Sequence, residues 1–442
     1  MEVCTISGFS KTEGNSVAIK VGEEVVILDM GLSMEDYIRY TEDREDTYGA
    51  KTYKELLRAK AVPDYRFIED WKSKVVAIVS SHGHLDHVGA IPYGAPMFPD
   101  APVISTPYSI EILKSILYDE RMKIPNKIIP LNLNSSYKVS ENITIEFINV
   151  THSIPHTALV VLHTPEGKVL YANDYKFDRQ PVLGKKPNFE RIKEVGDEGI
   201  KLLIINCLYA HEHKKTPSES VAKQMLKDVM LGVNCEGKGM IVTTFSSHLA
   251  RLKSIIEMGK KLDRKIVFLG RSLMKYVQAA QRINLVDFEK DVIILRHRDK
   301  IEKMLKKIQK EGKEKYLIVC TGHQGEPRAI LSRISRGELD FKFDKGDVVV
   351  FSCQIIPVKI NLDNREKLEK SLRKDSVRIF RDVHVSGHGA LEDHRDMFEL
   401  TRPENIIPMH AENTKAEMLK EYAAQLGYKK TFVCQDGKRL KF

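Results

Sequence analysis

VAIVSSHGHLDHVGA, residues 76–90, is an apolar run that breaks at once into His82-Gly83-His84-Leu85-Asp86-His87. A short apolar run bounded by polar and glycine residues predicts a buried strand ending in a turn. Four potential ligands in six residues of one turn cannot all face a core. Histidine mixed with carboxylate suits a borderline cation such as Zn²⁺ better than Mg²⁺. Surface histidines in an idle loop are the plain alternative, but the strand directly before them fixes the loop at a sheet edge, where binding residues gather. The stretch predicts a metal site.

One such turn cannot close two coordination spheres, so further ligands should follow other strands. Thr151-His152-Ser153 follows an apolar run ending at Val150, Asn173-Asp174-Tyr175 follows Val169–Ala172, and Met409-His410-Ala411 follows Ile406–Pro408. A lone histidine after a strand is usually structural; three such junctions downstream of the HGHLDH turn reverse that preference. A carboxylate shared by two cations holds them about 3.5–4 Å apart and makes a nucleophilic hydroxide available at neutral pH.

Outward from this centre, apolar runs at 25–28, 75–79, 103–105, 143–150, 159–163 and 169–172 predict strands, with a helix over 109–118. Tight turns such as Pro165-Glu166-Gly167 imply mixed sheets. From Lys201 the rhythm lengthens: strands at 202–207, 240–244, 265–269, 292–295, 316–320 and 348–352 alternate with helices at 221–230 and 248–262, which predicts a parallel α/β unit. Beyond Pro357 come a charged helix over 364–373, strands at 383–385 and 406–409, and a helix over 415–425. The expected divisions are residues 1–200, 201–356 and 357–442. The basic run Lys303–Lys315 reads as a solvated helix face.

The 442 residues are 42% apolar and 30% charged, enough for large cores and unlike collagen-like, coiled-coil or disordered chains. Lys plus Arg is 70 against 61 acidic residues, and the net charge of +9 favours a polyanionic partner. The opening MEVCTISGFS has no basic-then-apolar signal, and no run approaches the roughly 20 apolar residues that span a bilayer. The six scattered cysteines include no CxxC and read as buried thiols. The expectation is a cytoplasmic protein with no membrane partner.

The HGHLDH turn with His152 and Asp174 resembles the metallo-β-lactamase superfamily, whose fold is an αββα sandwich with two metal ions at one sheet edge. The resemblance implies His82, His84 and His152 on the first metal, Asp86, His87 and His410 on the second, and Asp174 bridging both. Asp29, in Val26-Ile27-Leu28-Asp29-Met30-Gly31, would support the ligand loop, and His156 is read as a residue that backs the ligands or shapes the loop. Because His410 lies 236 positions after Asp174, the intervening α/β block reads as an insertion, similar to the β-CASP branch of nucleases. His384-Val385-Ser386-Gly387-His388-Gly389-Ala390 and Ile407-Pro408-Met409-His410-Ala411-Glu412 resemble that branch's motifs B and C. Cys320-Thr321-Gly322-His323-Gln324-Gly325-Glu326-Pro327 resembles the TGSQGEP signature of the RNase J family, with His323 in place of Ser. THSIPH and NDYKFD, at 151–156 and 173–178, agree. Bacterial members carry an extra C-terminal domain, so the archaeal type is expected.

The resemblance then implies an α/β fold, a metallo-β-lactamase sandwich interrupted by a parallel β-CASP cap. It implies two Zn²⁺ ions, with Mn²⁺ or Mg²⁺ as substitutes. His388, Asp86 and Asn206 form the expected catalytic set. His388 would stabilise charge on the phosphate and protonate the leaving oxygen, while Ser386, Gly387 and Gly389 offer backbone N–H groups at the start of a helix over 391–400. Asn206 aligns with motif A, where a carboxylate is usual, and would orient His388 by accepting a hydrogen bond. Thr321, Gly322, His323, Gln324, Gly325 and Glu326, in a loop opening a helix with Arg328 in its first turn, form the expected 5′-phosphate anchor. Ser247, His248 and Arg271 are expected RNA contacts at other strand ends. The implied activity is a 5′→3′ exoribonuclease preferring 5′-monophosphate single-stranded RNA, with internal cleavage and single-stranded DNA left open, acting as a homodimer. The alternative is a catalytically silent RNA-binding paralogue.

Overall fold

The computed structural model describes residues 1–42, 51–356 and 358–442. They form two compact units, one built from Met1–Arg179, Lys185–Thr216 and Gly387–Phe442, the other from Gln180–Gly184 and Pro217–Ser386.

The first unit is built on two mixed sheets. One runs, in spatial order, Lys438–Lys441, Glu2–Ser7, Ser16–Val21, Glu24–Leu28, Val75–Ser80, Val103–Ser105 and Ile128–Pro130. Its first three pairings are antiparallel and the rest parallel. The other runs Asn405–Met409, Leu202–Asn206, Val169–Ala172, Thr157–His163, Thr144–Val150 and Ser135–Lys138. Here the first two pairings are parallel and the rest antiparallel. Leu28, Val79 and Ile104 share a core with Phe147, Val160, Tyr171, Ile204 and Ile407 of the second sheet. Side chains alternate along a strand, so Leu159, Leu170, Leu203 and Ile205 face the other way. There they meet Val195, Phe398 and Leu419 of the helices Phe189–Asp197, Leu391–Thr401 and Asn413–Gln425. This is the αββα sandwich the motifs implied.

The second unit carries an all-parallel sheet in the order Val292–Leu295, Lys265–Leu269, Tyr316–Cys320, Met240–Thr243, Val348–Phe351 and Arg378–Phe380. Helices Glu219–Gly232, Leu249–Lys261, Arg271–Arg282, Arg298–Glu311 and Lys359–Lys374 are among its connections. Lys303, Lys306, Lys307 and Lys310 are exposed on the helix face opposite Ile301, Leu305 and Ile308. Lys313 is instead buried against Asp347 and Asp344.

Several sequence expectations are corrected. The division expected at 200/201 falls after Thr216, because Leu202–Asn206 lies between Val169–Ala172 and Asn405–Met409 in the sandwich. The division expected at Pro357 lies outside the described residues, but Lys359–Lys374 and Arg378–Phe380 belong to the second unit, which runs to Ser386. Val383–Val385 is not a strand; the edge strand is Arg378–Phe380. No helix starts at Pro327, and the first helix after that loop is Ile330–Ser335. The six cysteines are free and buried. Among the described residues, no helix is long and apolar enough to cross a membrane.

Candidate metal centre

The chemistry-bearing residues of the first unit follow strand ends. Asp29 follows Glu24–Leu28, His82 and its neighbours follow Val75–Ser80, His152 follows Thr144–Val150, Asp174 follows Val169–Ala172, and His410 follows Asn405–Met409. Asn206 is the last residue of its strand. Parallel neighbours deliver their ends to one edge, which is why residues far apart in sequence meet there.

Asp29 is the anchor of the HGHLDH turn. Its carboxylate accepts Ser81 N–H at 2.7 Å, Ser81 Oγ at 2.9 Å and Tyr171 OH at 2.7 Å, and lies 2.7 Å from His87 Nδ1. His87 Nδ1–H therefore donates to Asp29 and its Nε2 faces the cluster. Because Ser81 Oγ donates to Asp29, its lone pair takes His82 Nδ1–H at 3.0 Å. His152 Nδ1–H donates to the Gly387 carbonyl at 2.7 Å. Such partners fix the tautomer and aim the other nitrogen, as around a metal.

Two sets of donor atoms result: His82, His84, His152 and Asp174, and Asp86, His87, Asp174 and His410. His84 Nδ1 lies 3.1 Å from Nε2 of both His82 and His152, and Asp174 Oδ2 lies 3.4 and 3.2 Å from those two Nε2 atoms. Two ligands of one tetrahedral Zn²⁺, each about 2.0–2.1 Å from it, stand about 3.3 Å apart, so the spacing fits a shared ion. In the second set His87 Nε2 lies 3.3 Å from both Asp86 Oδ2 and Asp174 Oδ2, and His410 Nε2 is 3.6 Å from Asp174 Oδ1. His410 Nδ1, buried without a hydrogen-bond partner, lies 4.0 Å from Asp86 Oδ2, so each ring nitrogen of His410 faces a carboxylate of this set.

Electrostatics agrees with cation binding. Burial pushes His82 down to about 4, and His84 and His410 also below the ordinary imidazole value, so all three present lone pairs at neutral pH. Burial acts on His87 in the same direction, but Asp86, Asp174 and Asp29 outweigh it and hold this imidazole well above its ordinary value. His87 thus faces three carboxylates, a concentration of negative charge that divalent ions would also offset.

Asn206 and His388 sit beside Asp174. Leu208 N–H donates to Asn206 Oδ1 at 2.8 Å, which fixes the amide. Nδ2 then donates to Asp174 Oδ1 at 2.9 Å and to His388 Nδ1 at 3.1 Å. The expectation that Asn206 accepts from His388 is reversed: the imidazole accepts at Nδ1 and carries its proton at Nε2. Burial outweighs the attraction of Asp174 and holds His388 well below its ordinary value.

Other expected contacts are placed differently. Gly389 N–H donates to the Tyr175 carbonyl at 2.6 Å and is spent within the protein. Gly387 contributes its carbonyl to His152, and a Cβ there would stand 2.7 Å from that of Ser153. In the second unit Gln324 is buried, its amide bonded to the Gln354 carbonyl and Ile356 N–H at 3.0 Å each. The Gln324 N–H is taken by Glu326 at 3.0 Å, so the loop's own carboxylate holds the place read as an anion site. His323 packs edge-on to Phe245 at 4.4 Å and its carbonyl accepts Arg365 at 2.6 Å. Thr321 receives Leu331 N–H at 3.1 Å, and Gly325, at φ +80°, lies against the backbone of Asn364 and Arg365. Gly322, at φ +122°, is close to Leu331. Ser247 and His248 are buried, and His248 Nε2 lies 3.4 Å from Glu219. Arg271 and Arg328 are exposed, and Ser386 is half-buried. His156, with φ +56°, belongs to neither donor set, in keeping with a loop role.

Sequence reasoning missed Ser81, Tyr171, Asn173 and Asn15. Asn173 Nδ2 donates to Tyr171 OH at 2.8 Å, and Asn15 Nδ2 to the Asp86 carbonyl at 3.2 Å. The available signal was a tyrosine inside a fully buried strand, since a buried phenol needs a polar partner.

An αββα sandwich whose edge brings together two histidine–carboxylate sets sharing Asp174 defines a metallo-hydrolase of the metallo-β-lactamase superfamily, and the profile of that superfamily matches residues 11–271. Residues 237–366 match "Ribonuclease J, beta-CASP domain" and 376–434 match "Zn-dependent metallo-hydrolase RNA specificity domain". Ribonuclease J of Methanocaldococcus jannaschii is 44% identical over 97% of this chain and 95% of its own length, and that of Pyrococcus abyssi is 42% identical over 99% and 96%. A solved structure of a protein of unknown function from Enterococcus faecalis superposes with a TM-score of 0.67 at 17% identity, covering 99% of both chains, and shares the fold. This chain belongs to the ribonuclease J family, β-CASP nucleases within that superfamily.

Proposed function

We propose that the chain hydrolyses RNA phosphodiester bonds with two Zn²⁺ ions, for which Mn²⁺ or Mg²⁺ can substitute, working 5′→3′ from 5′-monophosphate ends. The observation carrying this reading is the pair of donor sets that share Asp174. His82, His84 and His152 would hold one ion, Asp86, His87 and His410 the other, and Asp174 both. When bound, such ions supply Lewis acidity at a phosphoryl oxygen and a hydroxide nucleophile at neutral pH. His388, protonated at Nε2, donates to the phosphate oxygen that gains charge in the transition state. Asn206 holds that tautomer through Nδ1 and at the same time bonds Asp174. Exposed Arg271 and Arg328 of the second unit would contact RNA phosphates. The monophosphate preference rests on the resemblance of the Thr321–Pro327 loop to the family signature.

A silent RNA-binding role is not favoured, because all seven donor positions are filled by competent residues. The buried thiols fit a cytoplasmic setting, and a homodimer belongs to the same reading. The test is metal analysis combined with digestion of RNAs bearing 5′-monophosphate, 5′-triphosphate or 5′-hydroxyl ends. Mononucleotides should be released from the monophosphate substrate alone. Internal cleavage regardless of the end would overturn the direction and end preference, and cleavage surviving complete chelation would overturn the metal centre.

A further inference from the structure

The loop after Leu202–Asn206 enters the reading above only through Leu208 N–H, yet it is tied closely to the turn that carries His388. Tyr209 bridges to Ala390. Leu391 N–H donates to the Glu212 carbonyl at 3.2 Å, Thr216 Oγ1 to the His388 carbonyl at 2.7 Å, and Thr216 N–H to Asp393 at 2.9 Å. Cys207 and Ala210 of this loop enter the apolar core under the second sheet; Tyr209 and His211 are not part of it.

Their rings continue a row that starts at the metal edge. His410 and His388 are stacked with centroids 5.3 Å apart and planes 26° from parallel. Tyr209 follows at 6.1 Å from His388, tilted by 48°. His211 lies 6.1 Å from Tyr209 with planes 27° apart. Exposure rises along the row, from 2% for the His410 side chain to 18% for His388 and 40% for His211. A row of rings running from a reaction centre to solvent is the form of a base-stacking platform. Every nucleobase has a π-face, so such a platform accepts any single-stranded sequence.

We infer that Tyr209 and His211 form a stacking subsite for the nucleobase next to the scissile phosphate. The inference rests on the nuclease reading above. Its ligand class is an unpaired nucleobase of a single-stranded polynucleotide, without preference among the four.

The test uses the full chain loaded with Zn²⁺ and 5′-monophosphorylated RNAs in which one abasic ribose is moved along the strand. A set with phosphorothioate linkages that resist cleavage is read by fluorescence anisotropy, so binding is measured apart from turnover. The wild type should bind one abasic position, next to the cleaved bond, markedly more weakly than intact RNA. Y209L should weaken binding of intact RNA roughly 5- to 150-fold, the range for loss of one base–aromatic stack, and should no longer distinguish the abasic RNA. Y209F should restore both properties. The salt dependence of binding should be unchanged, because no phosphate contact is removed. If Y209L keeps the wild-type discrimination against the abasic position, or alters kcat alone, Tyr209 is a packing residue and the inference fails. Wild-type chain that binds the RNAs with this discrimination but cleaves none of them would overturn the nuclease reading and leave the subsite standing.

Discussion

The Asn206 amide is oriented by one backbone group, Leu208 N–H, which occupies Oδ1 and leaves both Nδ2 protons for Asp174 and His388. An aspartate at this position would set a second carboxylate 2.9 Å from Asp174 and reverse the hydrogen bond to His388, favouring the imidazolium. His388 is held well below its ordinary value, and in the proposed reaction it acts as a neutral donor, so raising its pKa would remove the working form first at low pH. N206D should therefore move the acidic limb of the kcat profile to higher pH, measured by initial rates across the pH range; an unmoved limb separates Asn206 from the state of His388. Asp29 acts through His87, Ser81 and Tyr171. D29A should lower metal affinity about 10- to 100-fold, read by competition with a chromophoric chelator, with activity recovered at saturating metal. The seven donor residues could be read from sequence because each follows an apolar strand at a characteristic spacing. The direction of the Asn206 hydrogen bond could not, since it depends on a turn at Leu208 that no side-chain pattern announces.

At the scale of elements, the strand Leu202–Asn206 shows why the division at residue 201 was misplaced. Leu202 and Ile204 enter the core between the sheets, while Leu203 and Ile205 enter the one under the helices. A strand buried on both faces reads as a continuous apolar run, as do the parallel strands of the second unit, and only pairing tells them apart. The Gly-rich loop at 321–327 is ambiguous for a related reason: its glycines permit positive φ and close backbone approach, needs that a structural loop shares with a phosphate loop. In the second unit the element that sequence did not reveal is a buried ionic cluster. Arg251 is bidentate to Glu219 at 2.6 and 2.9 Å and donates to the Ser352 carbonyl and hydroxyl at 2.9 Å and the Val383 carbonyl at 3.2 Å. Burial alone would raise the Glu219 carboxyl, but His248 and Arg251 hold it well below the usual carboxylate range. R251M removes the bidentate partner of that buried carboxylate, and should destabilise the unit by about 3–5 kcal/mol. Denaturant unfolding of the full chain measures this, and the double variant R251M with E219L should recover most of the loss; a cost below about 1 kcal/mol would mean the cluster is already solvated.

At the scale of the whole molecule, the donor sets join chain segments that the second unit separates. His82 and His410 are 328 positions apart in sequence, and the residues between Pro217 and Ser386 supply none of the seven donors. Metal should therefore act as a clamp on the first unit alone, stabilising it by about 2.7 kcal/mol when free metal is 100 times its Kd. The effect should depend on pH with a definite sign. Binding requires a deprotonated His87, whose imidazolium is held up, against burial, by Asp86, Asp174 and Asp29. Protons therefore compete with metal, and the stabilisation should shrink as pH falls. Calorimetry of the full chain with and without chelator, at pH 8 and pH 6, measures both effects. The transition of the first unit should drop on chelation, more at pH 8 than at pH 6, and that of the second unit should stay in place. A shift of the second transition equal to the first would show that metal stabilises the chain elsewhere than through His82, His410 and the bridging Asp174.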